Sequence, residues 1–542
     1  MSNSLYLTYP LLIFWIVRTI KSILFWLYLW QLKNYHIGRF IDHFKTYQGK
    51  KLILNWLLLF KATLLPLIFI QPLFAWIILP IYVAESLAFS LNIVKKNLRK
   101  PVFTFKAIFL TLIIFAIIIV YAYAIYAFNL VTILLLLFDI LTPIIVSAIV
   151  LLVQPFFVLI RKIKLKKATN KIASFKNLKV IAITGSYGKT ATKEFLTTIL
   201  SSKFTILSTP DHKNSEIGIA QTILNNLQEK HQIFIVEMGA YNKGGIKLLC
   251  DIVRPNIGIV TGVNSQHLAT FGSMENLLSA EGGIEMAEAL PKGGLIIING
   301  DNNYCMDLYK NIYKINPNIK KKIYSTNKQK INADIITEDI IVSKDSVTFI
   351  ARDKEKEMAQ FKVATLGRHQ VQNLLASILT AKQLGMNFSE ISDACQNIKS
   401  IQSGANLTTG IYGIDIIDSS YSSNPDGVIA DLDYLNTFVG KKVIIMPCLI
   451  ELGRQSAQVH YKIGKKIAKV CDLAIITTKD KFAEIKKGAM ENGMTDKQVL
   501  LCDKTAKTLT HITTFCQKDD TVLLEGRVSA DLIKLLTNKN GQ

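Results

Sequence analysis

The first 249 residues contain no cysteine, and the first 171 contain only three acidic residues, Asp42, Glu85 and Asp139. All seven cysteines (Cys250, Cys305, Cys395, Cys448, Cys471, Cys502 and Cys516) come later, in odd number and without a C-x-x-C pair. That pattern indicates neither a disulfide framework nor a zinc site, and fits buried, reduced thiols in a cytosolic domain. No basic stretch precedes the first apolar run, so a cleavable signal peptide is not expected. The chain of 542 residues is too long for one core, and three domains are the natural expectation.

What is present is unevenly spread. Long hydrophobic runs dominate from Leu5 to Ile160, whereas short apolar runs alternate with amphipathic stretches from Leu178 onward. The formal net charge is +23, but residues 1–171 hold 19 Lys and Arg against three acids, leaving only about +7 for the remainder. The basicity therefore flanks apolar spans, and no nucleic-acid partner is expected. A helix needs about 20 apolar residues to cross a bilayer. Candidate spans are 8–32, 52–71, 73–92, 107–127 and 130–160. Arg18 and Lys21 interrupt the first, which leaves an interfacial hairpin open, and Lys61 interrupts the second. The fifth contains Asp139, Pro143 and Pro155, implying tilt, a kink or a re-entrant piece.

Positive charges cluster at Lys33, Arg39, Lys45, Lys50 and Lys51, at Lys95, Lys96, Arg99 and Lys100, and from Arg161 to Lys167, while the connections around Gln71–Pro72 and Phe128–Asn129 have none. Five spans with an external N-terminus place all three clusters in the cytoplasm. The expectation is a multi-pass protein of the cell membrane with cytoplasmic catalytic domains. Asp139 near mid-membrane is a functional site by default, or else a helix kink with a paired or neutral carboxyl.

From Val180 the run VIAITGSYGKTATKEFLTTIL has the pattern of a buried strand, a tight glycine loop and a helix. Gly185 and Gly188 let backbone N–H groups, with those of Ser186 and Tyr187 between them, close around phosphate oxygens at a helix N-terminus. Lys189 supplies a cation for the phosphates, and Thr190 a hydroxyl for Mg²⁺. Three further strands end in chemistry: IFIVEMG at Glu237, IGIVTGV before Asn264 and His267, and GLIIING at Asn299 and Asp301. In a doubly wound sheet such ends converge on one crevice. An isolated Glu or His is more often ordinary, but four strand ends in order are not.

Only two residues separate the glycines, and this short G-x-x-G-K-T loop is similar to that of the Mur ligases and their folylpolyglutamate synthetase relatives. The runs EMGAYNKGGI, VRPNIGIVTGVNSQHLATFGS, GRHQVQNLLAS, IIDSSYSSNPDGVIADL and LIELGRQSAQVHYKIG resemble the MurF branch of that family, over about 178–542. After the multi-span helical domain read from the apolar runs (1–171), the resemblance implies an α/β fold: a P-loop central ATP-binding domain (172–404) and a Rossmann-like C-terminal domain (405–542), with strands near 414–418, 442–447, 473–477 and 521–525. The stretch before Gly367 has the pattern of an antiparallel excursion.

The resemblance also implies ATP and Mg²⁺ as cofactors, with Lys189 on phosphates, Thr190 and Glu237 on a first Mg²⁺, His267 on a second Mg²⁺, and Asn299, Asp301 and Asn373 near adenine or ribose. It implies conversion of a carboxylate into an acyl phosphate and attack by an amine, the partners being a cell-wall precursor, soluble or lipid-linked, an amino acid or a dipeptide such as D-alanyl-D-alanine, and membrane lipid. Several departures stand against the family pattern. Glu281, in Ala280-Glu281-Gly282-Gly283-Ile284, replaces a lysine that relatives carbamylate, so it either supplies that negative charge or marks an altered metal site. Ala405 stands where relatives carry an arginine, and an acidic pair is reduced to Asp418-Ser419. Glu525-Gly526-Arg527 occupies a segment that bears on the amine. No uridine-nucleotide-binding domain precedes the glycine loop. A polymer-forming γ-glutamyl ligase and a nucleotide-binding scaffold without ligation are the alternatives.

Overall fold

The computed structural model describes residues 2–53, 55–95, 98–126, 131–210, 213–327, 333–421 and 424–537. Lys96, the Phe128–Asn129 connection, and Ser422 and Ser423 of the SSYSSNP run lie outside the described residues. The chain forms two compact units, residues 1–162 and 163–542.

The first unit is helical: α1 (Ser2–Leu32), α2 (Ile37–His43), α3 (Tyr47–Ile53), α4 (Trp56–Ile70), α5 (Ile78–Val94), α6 (Phe105–Tyr126) and α7 (Val131–Ala173), the last running on past the unit. Among the described residues, five stretches are long and apolar enough to cross a membrane: Tyr9–Leu32, Gly49–Ile70, Pro72–Val94, Phe105–Ile125 and Val131–Ala173. α1 is a single helix rather than a hairpin, and α7 is continuous through Pro143 and Pro155 rather than re-entrant. Two indoles hold α1 to α7, Trp15 Nε1 donating to the Leu135 carbonyl (2.9 Å) and Trp30 Nε1 to Ser147 Oγ (3.0 Å).

The charges that interrupt these helices find each other. Asp139 on α7 pairs with Arg18 on α1 and, at 2.8 Å, with Lys61 on α4, while Glu85 on α5 pairs with both cations. Asp139 therefore has partners that were not evident from sequence. Losing either cation would leave two carboxylates sharing the one that remains, and breaking buried pairs in this way typically costs about 3–5 kcal/mol.

The second unit contains two sheets. The first is built from β1 (Lys179–Thr184), β2 (Ile206–Ser208), β3 (Ile233–Glu237), β4 (Ile257–Val260), β5 (Leu295–Asn299), β6 (Lys320–Ser325), β7 (Ile335–Val342), β8 (Val347–Asp353) and β9 (Met358–Val363), in the order β2-β3-β1-β4-β5-β6-β7-β8-β9. It is parallel as far as β7, and β7-β8-β9 is the expected antiparallel excursion. The central parallel strands β1, β3, β4 and β5 are mostly apolar and buried because helices cover both faces. On one face the helix Gln370–Gln383, buried along most of its length, packs with the helix Lys189–Leu200. Leu165, Ala168 and Ile172, near the end of α7, join the core on the other.

The second sheet comprises β10 (Asn406–Thr409), β11 (Asp415–Ser419), β12 (Lys442–Met446), β13 (Leu473–Ile476), β14 (Val499–Leu501) and β15 (Thr521–Glu525), ordered β10-β11-β15-β12-β13-β14. The four expected strands are its parallel centre. The short edges β10 and β14 were not anticipated. All seven cysteines are buried, and none is in a disulfide.

Helices Ser456–Val470 and Phe482–Met490 pack on this sheet with their backbones in close approach. A Cβ on Gly464 would sit 2.1 Å from the Ile485 carbonyl oxygen, and one on Gly488 2.2 Å from that of Tyr461. Neither backbone atom can swing away as a side chain would. We therefore expect Gly464→Ala to destabilise the second unit by about 2 kcal/mol through overpacking. A lowered midpoint in chemical unfolding of the full chain is the measurement that checks it.

Candidate active site

β1 delivers the chain into the turn Gly185-Ser186-Tyr187-Gly188, and the helix Lys189–Leu200 begins at once. Gly185 and Gly188 have φ of +138° and +74°, and neither has room for a Cβ: one on Gly185 would lie 2.2 Å from Thr261 Oγ1, one on Gly188 2.4 Å from Asn373 Oδ1. The loop is thus clamped from below by Thr261 and Gly262 after β4 and from the side by Asn373. Ser186 N–H donates to the Gly262 carbonyl (2.7 Å), and Thr261 Oγ1 donates to the Tyr187 carbonyl. Tyr187 lays its ring over Gly262, and its hydroxyl accepts from Asn302 Nδ2 (3.3 Å). Lys189 folds back so that Nζ donates to the Gly185 carbonyl.

Ser186 Oγ donates to Glu281 Oε2 (2.8 Å), and Glu281 Oε1 lies 3.0 Å from His267 Nδ1. Glu281 is 1% exposed. Burial pushes its carboxyl up, but the Lys189 charge and the bonds to His267 and Ser186 together outweigh burial and hold it below the ordinary carboxylate value. His267, half-buried, meets the Tyr241 ring edge-on at 6.1 Å between centroids. Glu285, in the helix that follows Glu281, accepts from the N–H groups of Gly244 (2.7 Å) and Lys247 (2.9 Å) and so caps the helix Gly245–Val253.

Glu237 ends β3 and is 6% exposed. Its Oε1 accepts from Asn214 Nδ2 (2.9 Å), and its own N–H donates to Thr209 Oγ1 (3.0 Å). Neither Asn214 nor Thr209 was singled out from sequence; the polar run Lys213-Asn214-Ser215 ahead of a helix capped by Ser215 is the signal that was there. Asn299 and Asp301 are engaged within the fold. Asn299 Nδ2 donates to the Thr261 carbonyl (2.7 Å), and the Asp301 carboxylate accepts from Ser325 Oγ (2.5 Å), Thr326 N (2.8 Å), Thr326 Oγ1 (2.6 Å) and Gln372 Nε2 (3.1 Å). Asn373 Nδ2 donates to Gln370 Oε1 (2.9 Å).

The C-terminal sheet touches this site. Asn264 Nδ2 donates to Asn424 Oδ1 (3.1 Å) and Asp426 Oδ2 (2.9 Å), and Ala269 N–H donates to the Glu451 carbonyl (3.1 Å). Those contacts join the loop carrying His267 to two loops of the second sheet. Ala405 is buried in that domain's core. Ser419, at the end of β11, donates through Oγ to Asp431 Oδ2, beside the fully buried Glu525 that ends β15. Two carboxyls therefore gather where the sequence seemed to have lost one.

What this arrangement resembles is answered by comparison. Residues 183–381 match the Mur ligase middle domain and residues 406–528 the Mur ligase, glutamate ligase domain, together more than half of the chain. This chain belongs to the Mur ligase family. Among curated relatives, the UDP-N-acetylmuramoyl-tripeptide--D-alanyl-D-alanine ligase of Escherichia coli K12 is 26% identical over 287 residues, 53% of this chain and 61% of the relative. Its counterpart in Buchnera aphidicola subsp. Baizongia pistaciae is 29% identical over 307 residues, 55% of this chain and 64% of the relative. The chain thus spans about three fifths of the curated relatives it matches. MurF from Acinetobacter baumannii shares the fold with a TM-score of 0.61 at 23% identity, covering 69% of this chain and 80% of that one. MurF from Thermotoga maritima in complex with ADP gives 0.60 at 22%, covering 69% and 82%.

The clamped glycine loop at a helix N-terminus, with no room for a Cβ on either glycine, has a backbone form that fits the phosphates of a nucleotide. Thr190, Glu237, His267 and Glu281 offer the oxygen and imidazole donors that suit Mg²⁺. Among the described residues, no group of three or more His, Cys, Asp or Glu is close enough to hold a metal by itself. A metal here therefore needs phosphate oxygens as further donors.

Glu525 yields a prediction of another kind. Burial first, and then the charge and hydrogen bond of Asp431, raise its carboxyl well above the usual value. A carboxyl raised in the folded state holds a proton that the unfolded chain has released, so its contribution is fully present below the unfolded value near 4.5 and is lost as pH rises toward the folded one. Glu525→Gln keeps the shape without the titration. Melting curves from pH 4 to 8 are expected to show the variant gaining on the wild type as pH rises, with the difference vanishing near pH 4.

Proposed function

We propose that this chain is a membrane-anchored, ATP-dependent amide ligase that activates a carboxylate of a cell-wall peptide precursor for attack by an amine, such as that of D-alanyl-D-alanine. The observation that carries this reading is the triad Ser186–Glu281–His267 closing directly under the glycine loop beside Lys189. Magnesium, when bound through Thr190, Glu237, His267 and Glu281, supplies positive charge against the phosphates. Lys189 turns from the Gly185 carbonyl toward phosphate oxygens. The loop amides hold those oxygens, and Glu281, already ionised, takes the place of the carbamate that relatives make from lysine. Positioning and electrostatics of this kind need no protein nucleophile. The five apolar helices of the first unit, with basic residues at alternate ends, support a multi-pass anchor with the ligase domains in the cytoplasm. The carboxyl pair at Ser419 favours a working C-terminal domain over a scaffold.

Lys189→Ala should abolish carboxylate- and amine-dependent ADP release from the purified full chain while leaving the protein folded, because the charge serves phosphate rather than packing. Undiminished ADP release would remove the site from consideration.

Glu281→Gln keeps the volume but removes the charge, and should cut ligation about a hundredfold, roughly 3 kcal/mol of electrostatic stabilisation. Bicarbonate should not restore it. Rates measured across Mg²⁺ concentrations for wild type, Glu281→Gln and Glu281→Lys decide the matter: a Gln variant with wild-type rate and Mg²⁺ dependence makes Glu281 a structural residue.

A further inference from the structure

The helical unit contains a cavity of about 390 Å³ enclosed by α1, α4, α5, α7 and the segment after α5. Its volume is in the range of small-molecule sites. Four cations line it, Arg18, Lys21, Lys61 and Arg99, against two carboxylates, Glu85 and Asp139. Arg18 and Lys61 are committed to those carboxylates. Lys21 and Arg99 are not: neither forms an ion pair or side-chain hydrogen bond among the described residues. The remaining wall is apolar, including Phe25, Trp26, Leu57, Leu58 and Pro143, with Ser22, Asn55 and Asn92 as polar relief.

The half-buried Lys21 is a surplus charge in a largely apolar surround, where an uncompensated charge is costly, and the exposed Arg99 adds a second on the same wall. Here two positive charges are left over and face a space. An anion belongs there, and the arginine fork favours the several oxygens of a phosphate over a single-charge group. A free phosphate would leave the aromatic and aliphatic wall without a partner, whereas a phosphate carrying a hydrocarbon chain satisfies both surfaces. We propose that this cavity binds the phosphate end of a lipid, with Lys21 and Arg99 on the phosphate and the Phe25, Trp26 and Leu57 wall on the first part of the chain. The inference rests on the reading of these helices as membrane-spanning. For the ligase it supplies a class of precursor, one carried on a lipid phosphate.

The test uses the full chain in detergent and measures equilibrium binding of a short-chain polyprenyl phosphate, the corresponding neutral polyprenol, and inorganic phosphate as competitor. Wild type should bind the lipid phosphate at least tenfold more tightly than the polyprenol, and millimolar inorganic phosphate should not displace it. Lys21→Ala with Arg99→Ala should erase that preference. Because neither side chain has a partner to orphan, the double variant should fold, and unchanged ATP binding by it provides the check. Lys50→Ala with Lys51→Ala, outside the cavity, should behave as wild type. Equal binding of the polyprenol, displacement by inorganic phosphate, or an unaltered double variant would each overturn the proposal. Lipid binding that survives while ADP release fails would instead count against the ligase reading alone, so the two failures are distinguishable.

Discussion

The site depends on keeping one carboxylate ionised where water cannot reach it. Taking the Glu281 carboxylate out of water carries an effective penalty of several kcal/mol. Against it stand two charge-assisted hydrogen bonds, each worth about 1.5–3 kcal/mol, from Ser186 and His267, and the attraction of Lys189. The balance falls to the charged form. Because Ser186 belongs to the glycine loop, His267 to the segment after β4 and Glu281 to the helix end that follows, one ion ties three parts of the parallel sheet's crevice together. Loop position, imidazole orientation and the local potential are then not independent.

A carboxylate in the C-terminal domain shows the opposite outcome from the same physics. Glu525 is as buried as Glu281, but its nearest charged neighbour is Asp431 rather than a lysine. With no cation and a second carboxyl beside it, burial and repulsion act in the same direction, and the proton stays. A neutral acid at that corner can donate a hydrogen bond that an aspartate pair could not. The loss suggested by Ser419 in the sequence is in this sense a rearrangement of acids around one strand end.

Much of the candidate site's backbone layout was legible beforehand, for a specific reason. Glycines with positive φ, a lysine and a threonine at a strand-to-helix turn are local requirements of a phosphate loop, and Glu237, His267 and Asn299 mark strand ends that parallel topology must bring together. Glu281 was noticed because it departs from a pattern, and the structure supplies what the pattern lacked, its hydrogen bond to Ser186. Asn214, Thr209 and the Asn264–Asp426 contact were not visible. They are held by segments far apart in sequence, and no spacing rule links them. Edge strands β10 and β14, four and three residues long, are too short to show a period.

The helical unit makes the same point more sharply. Arg18 and Lys61 each interrupted an apolar run and weakened the case for a span when taken alone, and Asp139 stood in the fifth run with no partner evident. Joined, they are the reason those helices can tolerate charge at all: every one has an opposite partner on a different helix. Pairing across helices also fixes which faces of α1, α4, α5 and α7 turn inward, because a helix rotated away would strand its charge in an apolar surround. The ion cluster therefore sets the packing of the unit, and the cavity beside it, with Lys21 and Arg99 on its wall, is a consequence of that arrangement rather than a gap in it.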